Sequence, residues 1–329
     1  MFRCLIVQPI HPAGVDLLAG AGIEPVHAPA YDAASIFAAM QGMDAVITRD
    51  AGLAAPAMSA APHLRVIGVH GIGTDPVDIE EATRRGVCVV NTPGTNVRAV
   101  AEQALALTLA LAKSVPAADA AARRGDFGFK YRAPLRELAG ATFGVVGFGN
   151  IGRATAELAG AFGMRVVGVS RSQPDDVFVT AGVTRLASLD ELLAVSDVVS
   201  LHLPSSPATR GVIGARELGR MKPGALLINT SRGALIDEDA LAAALAERRI
   251  GGAGLDVFVR EPLPTGSPLA GLDNVVLSPH IAGSAVEALE RTARLVTQQV
   301  IDVLAGRRPP HLVNPQSWPS PTQAGEVRL

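Results

Sequence analysis

Cysteine, tryptophan and tyrosine are scarce in this 329-residue chain, which has 2 Cys, 1 Trp and 2 Tyr. Two thiols can close one disulfide at most, so the fold does not rest on a disulfide framework. Cys4 and Cys88 both lie in apolar, strand-like runs and have no histidine beside them in sequence. They read as buried thiols, compatible with a reducing cytoplasm, and not as nucleophiles. Aromatics make up only 4% of the residues, whereas 48% are hydrophobic and 34 are glycine. That composition suits α/β layers packed closely through small side chains. A surplus of one charge sign is also missing: 29 basic residues against 31 acidic ones leave a formal charge of -2. Nucleic acid and anionic membrane surfaces are therefore not expected partners. Long apolar runs are absent too. The first run, residues 2–7, is a strand's length and is soon broken by Pro9, His11 and Pro12, so it reads as neither a signal peptide nor a membrane span.

What is present is an alternation. Apolar runs at 3–7, 45–48, 64–69 and 87–90 read as buried strands, and stretches of helical spacing at 15–21, 34–41 and 76–85 separate them. Asp75 before Pro76 reads as a helix start. A long helical pattern covers 97–124, with Pro116 expected to break or kink it. A second series of strands follows at 143–146, 165–169, 183–186, 198–201, 225–228, 252–255 and 275–277, then a helix over about 285–304 and a proline-rich tail expected to be irregular. Strands alternating with helices imply parallel sheets. Length favours two domains: residues 1–97 with 287–329, and residues 98–286. A cleft between them is the expected site.

The chemistry sits at strand ends. Gly147-Phe148-Gly149-Asn150-Ile151-Gly152 follows the 143–146 run and opens a helical stretch. In that context the pattern reads as a dinucleotide turn. Its first glycine bends the chain, its second admits the pyrophosphate, and its third lets the helix pack on the strand. The next strand ends in Ser170-Arg171-Ser172, with no acid before Asp175. A guanidinium flanked by hydroxyls suits a ribose 2′-phosphate, whereas a carboxylate would suit a 2′-hydroxyl. NADP(H) is therefore the expected cofactor, with NAD(H) as the alternative. Three further blocks each place one ionisable residue beyond a strand: Asn229-Thr230-Ser231-Arg232-Gly233, Gly254-Leu255-Asp256-Val257-Phe258 leading to Glu261-Pro262, and Ser278-Pro279-His280-Ile281-Ala282-Gly283. An arginine, a carboxylate and an imidazole that converge make an anion holder, an orienting base and a proton carrier.

These blocks, together with His70-Gly71-Ile72-Gly73-Thr74-Asp75, Asn91-Thr92-Pro93-Gly94, Val100-Ala101-Glu102 and His202-Leu203-Pro204 with Thr209, span nearly the whole chain. In them the sequence resembles the D-isomer-specific 2-hydroxyacid dehydrogenases. The resemblance implies two doubly wound parallel-sheet domains, a Rossmann cofactor domain inserted into a flavodoxin-like substrate domain. It implies Arg232, Glu261 and His280 as the catalytic residues, and substrate binding by His70, Gly71, Ile72 and Gly73 with Arg232 and His280. It also implies cofactor contacts from the glycine turn, from Ser170, Arg171 and Ser172, from His202, Pro204 and Thr209, and from Thr230, Arg232, Asp256, His280 and Gly283. The implied activity is reversible hydride transfer between a nicotinamide cofactor and a small 2-keto or 2-hydroxy acid, with hydroxypyruvate or glyoxylate expected. A phosphoglycerate-type dehydrogenase is the alternative within that chemistry, and a non-catalytic dinucleotide sensor or co-repressor the alternative outside it. The family usually dimerises, and a homodimer is expected. One departure is the segment 126–132, where Phe127 or Phe129 stands where a tryptophan is common. Lys130 and Arg132 there add charge that reads as solvated and not as substrate-binding.

Overall fold

The structure is a computed structural model that describes residues 1–318. The chain forms two compact units, Met1–Asn96 with Ser284–Leu329, and Val97–Gly283.

The first unit is built on five parallel strands, β1 (Arg3–Ile6), β2 (Glu24–His27), β3 (Ala45–Thr48), β4 (Val66–Val69) and β5 (Cys88–Val90), in the order β2-β1-β3-β4-β5. That is the flavodoxin-like order. β3 and β4 are buried along their whole length, as their uninterrupted apolar sequences require in a sheet covered on both faces. Gly68 leaves room for Val296 and Val300 of the helix Val286–Leu304; a side chain there would meet Val296 at 2.7 Å. β2 escapes the sequence reading because Pro25 interrupts it. It lies at the sheet edge, where a missing N–H is tolerated.

One local expectation needs correction. The helix expected from Asp75-Pro76 begins instead at Ile79, with Asp78 as its cap, accepting from the Glu81 amide at 2.9 Å. Pro76 and Val77 are tied to Leu53: the Leu53 amide donates to the Pro76 carbonyl at 3.1 Å, and Val77 bridges Leu53. That tie keeps the segment out of the helix. The tail from Arg307 has little regular structure but is firmly attached. Leu312 bridges β5 in the antiparallel sense, and the buried Asn314 accepts from the Val89 amide at 2.7 Å and donates to the Val87 carbonyl at 2.9 Å. The part of the tail beyond residue 318 lies outside the described residues.

The second unit carries seven parallel strands, β6 (Thr142–Val146), β7 (Arg165–Val169), β8 (Thr184–Arg185), β9 (Val198–Leu201), β10 (Leu226–Asn229), β11 (Gly252–Leu255) and β12 (Val275–Leu277). Their order is β12-β11-β10-β9-β6-β7-β8. The sequence reverses direction between β6 and β9, which is the Rossmann switch point, where the carboxyl ends of the strands open a crevice for ligands. The long pattern at 97–124 is two helices, Val97–Ala112 and Val115–Arg123, meeting at 57° around Ser114, whose φ is 48°. The first helix lies on β11, where Gly254 and Gly252 admit Leu107 and Leu111. No single helix among the described residues is long and apolar enough to cross a membrane.

Candidate active site

The backbone of the glycine turn fits the three tasks its sequence suggests. Gly147 takes a φ of 95°, and a side chain on it would collide with the His202 carbonyl at the end of β9. A side chain on Gly152 would strike the Gly147 carbonyl, which fixes the close approach of the helix Asn150–Ala161 to β6. Around Gly149, by contrast, a Cβ would meet nothing within 4 Å. That residue caps the helix without a side-chain bond to its first amides, which leaves those donors to an outside partner such as a pyrophosphate. Phe148 is different: its ring is buried and stacks on Phe178 at 4.1 Å, so it serves the floor of the pocket from below.

Beyond the turn a cavity of about 710 Å³ is lined by Gly147, Ser170, Arg171, Asp175, Arg185 and Leu203, among others. The Ser170 hydroxyl accepts from the amides of Ser172 and Gln173, both at 3.3 Å, and shapes the turn after β7. Arg171 and Ser172 are exposed there. His202 is held by Ser200, its Nε2 2.9 Å from the hydroxyl. Burial pushes the His202 ring down to about 4, so it is neutral near pH 7. Its Nδ1 and the Thr230 hydroxyl are buried polar atoms with no partner. Such atoms are rare unless something outside the protein satisfies them. Thr209 is spent locally, donating to the Pro204 carbonyl at 2.7 Å and accepting from the Ser206 amide at 2.9 Å. The glycine cradle, the unpartnered polar atoms and the cavity together fit a dinucleotide.

The three ionisable blocks are joined by their loops. After β10, buried Asn229 organises the turn: its amide donates to the Arg232 carbonyl at 2.8 Å, and its oxygen accepts from the Ser231 amide at 3.0 Å. The Arg232 guanidinium donates to the Ser231 carbonyl at 2.7 Å. After β12, His280 adopts a φ of 53°, uncommon for a non-glycine residue. Its Nδ1 lies 2.7 Å from Glu261 Oε2, while Glu261 Oε1 accepts from the Phe258 amide at 3.0 Å. Burial alone would raise the Glu261 carboxyl. The bonds from His280 and Phe258, and then the charges of His280 and Arg232, outweigh it and hold the group below the usual carboxylate range. His280 and Arg232 therefore both act electrostatically on Glu261.

Asp256 has a role that the sequence reading missed. It is fully buried at the end of β11. One oxygen accepts from the Ser278 hydroxyl and from the Ile281 amide at 3.0 Å, and the other accepts from the Ala282 amide at 2.8 Å. Its own carbonyl accepts from the His280 amide at 2.9 Å. The carboxylate thus pins the loop that presents His280, up to the residue before Gly283. The only sequence signal for this was an acid directly after a glycine-rich strand.

In the first unit, His70 follows β4 and is 7% exposed, with an unpartnered Nε2. Burial, and then the charge of Arg49, push its ring down to about 4. Beside it the Gly71–Gly73 loop is tied at its first two residues: the Thr92 amide donates to the Gly71 carbonyl at 3.0 Å, and Asn91 donates to the Ile72 carbonyl at 2.8 Å. In the segment at 126–132, Lys130 lies over the Tyr131 ring and Arg132 pairs with the half-buried Asp126, with Lys130, Tyr131 and Arg132 exposed. Both cysteines are free and buried.

Known proteins resemble this chain over most of its length. The family model for the D-isomer specific 2-hydroxyacid dehydrogenase NAD binding domain matches residues 105–282. A glyoxylate reductase from Thermofilum pendens is 43% identical over 263 residues, covering 79% of this chain and 78% of its own. A D-3-phosphoglycerate dehydrogenase from Mycobacterium tuberculosis is 40% identical over 311 residues, 94% of this chain but 58% of its own length. Among solved structures, an NADPH-dependent glyoxylate/hydroxypyruvate reductase from Sinorhizobium meliloti superposes with a TM-score of 0.86 at 30% identity, covering 97% of this chain and 100% of the other. With a Rossmann glycine turn, a Glu261–His280 pair under the influence of Arg232, and relatives this close over most of its length, the chain belongs to the D-isomer-specific 2-hydroxyacid dehydrogenase family.

Proposed function

We propose that this protein is an NADPH-linked reductase of small 2-keto acids, with glyoxylate or hydroxypyruvate as substrate. The observation that carries the reading is the 2.7 Å Glu261–His280 contact, with Arg232 close enough for its charge to act on the same carboxylate. The bound dihydronicotinamide supplies the hydride. As negative charge grows on the substrate oxygen, His280 donates a proton to it through Nε2. Glu261 holds Nδ1, fixing the ring's orientation and favouring its charged form. Arg232 grips the carboxylate and carbonyl side of the substrate and fixes the face presented to the hydride. In the same reading the backbone amides of the Gly71–Gly73 loop take the carboxylate. The relatives named as glyoxylate reductases support this choice of substrate.

Preference for NADPH rests on Arg171, which stands exposed at the end of β7, where an NAD-specific site would place a carboxylate. Its replacement by alanine is expected to lower kcat/KM for NADPH by about ten- to a hundredfold and to leave NADH little changed. The deciding experiment follows cofactor oxidation against glyoxylate, hydroxypyruvate and 3-phosphohydroxypyruvate. Fastest turnover with the phosphorylated acid would favour the phosphoglycerate-type reading, which the 40% identical relative supports. No turnover with any of them would favour a non-catalytic sensor, and a faster reaction with NADH would overturn the cofactor preference. A homodimer in a reducing, cytoplasmic compartment belongs to the same proposal, and a light-scattering mass of one chain would refute the dimer.

A further inference from the structure

The rim of the dinucleotide cavity holds a second arginine that the motif reading did not use. Arg185, at the end of the short strand β8, pairs through Nη1 with Asp175 and donates through Nη2 to the Ser170 carbonyl at 3.1 Å. Its guanidinium also lies over the Phe178 ring, 5.4 Å from the centroid, and that ring stacks on Phe148 of the glycine turn. Asp175 and Arg185 both line the cavity together with Ser170 and Arg171. Asp175 is the first acid after β7, the nearest in sequence to the place where a carboxylate would bond a ribose 2′-hydroxyl. The following acid, Asp176, accepts from the Val177 amide and does not line the cavity.

We propose that the Asp175–Arg185 pair is a cofactor-discriminating element. Arg185 pairs with the one acid among the cavity-lining residues, a carboxylate whose side chain is 82% exposed, and partly offsets its charge, which weakens both its bond to a 2′-hydroxyl and its repulsion of a 2′-phosphate. Arg185 and Arg171 together leave the rim with two cations to one carboxylate. This inference rests on the NADPH reading above, in which Arg171 alone was given the 2′-phosphate. Three anchors, to Asp175, to the Ser170 carbonyl and to the Phe178 ring, hold the guanidinium in place before any ligand arrives, which lowers the ordering cost of binding.

The test is calorimetric titration of the purified apoprotein with NADP⁺ and with NAD⁺. The two ligands differ only in the 2′-phosphate, so the ratio of their dissociation constants isolates that group. Arg185→Met is expected to weaken NADP⁺ by about ten- to a hundredfold while NAD⁺ changes little or tightens, because Asp175 loses its partner. Asp175→Asn is expected to tighten NADP⁺ by about two- to fivefold relative to NAD⁺. The double variant should recover part of the loss seen with Arg185→Met. Equal weakening of both ligands in Arg185→Met would make the residue a packing element of the adenosine pocket and overturn the proposal. If Arg185→Met fails to fold, Asp175→Asn decides by itself, and an unchanged or lowered NADP⁺ preference overturns the proposal. The wild-type ratio keeps the two readings apart. A wild type that binds NAD⁺ more tightly defeats the NADPH assignment. A wild type that prefers NADP⁺ but whose ratio Arg185→Met leaves unmoved defeats only the role of the pair.

Discussion

His70 and His280 both stand just beyond the carboxyl end of a parallel strand, β4 in the first unit and β12 in the second, yet their surroundings oppose each other. His70 is almost fully buried, has an unpartnered Nε2 and is pushed down to about 4. His280 is partly exposed, with a carboxylate 2.7 Å from its Nδ1. His202, after β9, sides with His70: it is neutral near pH 7 and has a serine as its ring partner. Strand-end position alone therefore does not make a histidine a proton carrier; the neighbouring group decides. Desolvation without a counter-charge disarms the ring, and a held carboxylate arms it.

The sharpest way to break this contrast is to remove the armed ring. His280→Ala is expected to reduce kcat by about a hundred- to ten-thousandfold, while cofactor affinity, read by fluorescence titration, falls by no more than about tenfold, the loss of a single contact. Wild-type turnover in that variant would remove His280 from the acid–base role.

The disarmed ring makes a different prediction, in stability. His70 titrates near the usual 6.5 when unfolded and near 4 when folded, so the unfolded chain binds more protons between those values. Stability from the neutral ring is thus fully present above about pH 6.5 and is lost as pH falls toward 4, amounting to at most about 3 kcal/mol. His70→Gln should reduce the pH dependence of the urea midpoint in that window, leaving the share that comes from His202, which burial pushes down to about 4 as well. An unchanged slope would show that the ring is not the group responsible.

Disarming His280 by its partner should cost less than deleting it. Glu261→Gln keeps the hydrogen-bonding shape but loses the charge that favours the protonated ring. We expect kcat for reduction to fall by about ten- to a hundredfold. The alkaline limb of its pH profile should move to lower pH, because the proton donor is lost earlier as pH rises. A limb that stays in place would mean that Glu261 only orients the ring. The smallest effect is expected at Ser200→Ala, which removes the hydroxyl bonded to His202 at a cost of about 1 kcal/mol. That corresponds to a melting midpoint lower by about 2–4 °C, and a larger fall in kcat than in Tm would give His202 a part in the chemistry.

Much of this was legible along the chain. The runs at 45–48, 165–169, 198–201, 252–255 and 275–277 coincide with β3, β7, β9, β11 and β12; β3, β9 and β11 are buried throughout, and buried parallel strands must be continuous in apolar residues. β2 was not legible, since an edge strand tolerates Pro25 and carries a weaker apolar signal. The start at Asp75 failed because a long-range tie from Leu53 overrode a good local cap. At the site, Arg232, Glu261 and His280 could be named from their blocks. The Asp256 knot could not, because its partners lie 22 to 26 residues away.

By itself the sequence determined the alternation of strands and helices, the glycine turn that accepts a dinucleotide, and the identity of the ionisable residues at the strand ends. These are local properties of hydrophobic period, backbone freedom and side-chain chemistry. Only the tertiary structure decided which of three strand-end histidines has a carboxylate to work with. It also decided that Asp256 is committed to holding a loop, and that Asp175 meets Arg185 from ten residues away. Burial and charge proximity are set by neighbours distant in sequence, and no local pattern encodes them.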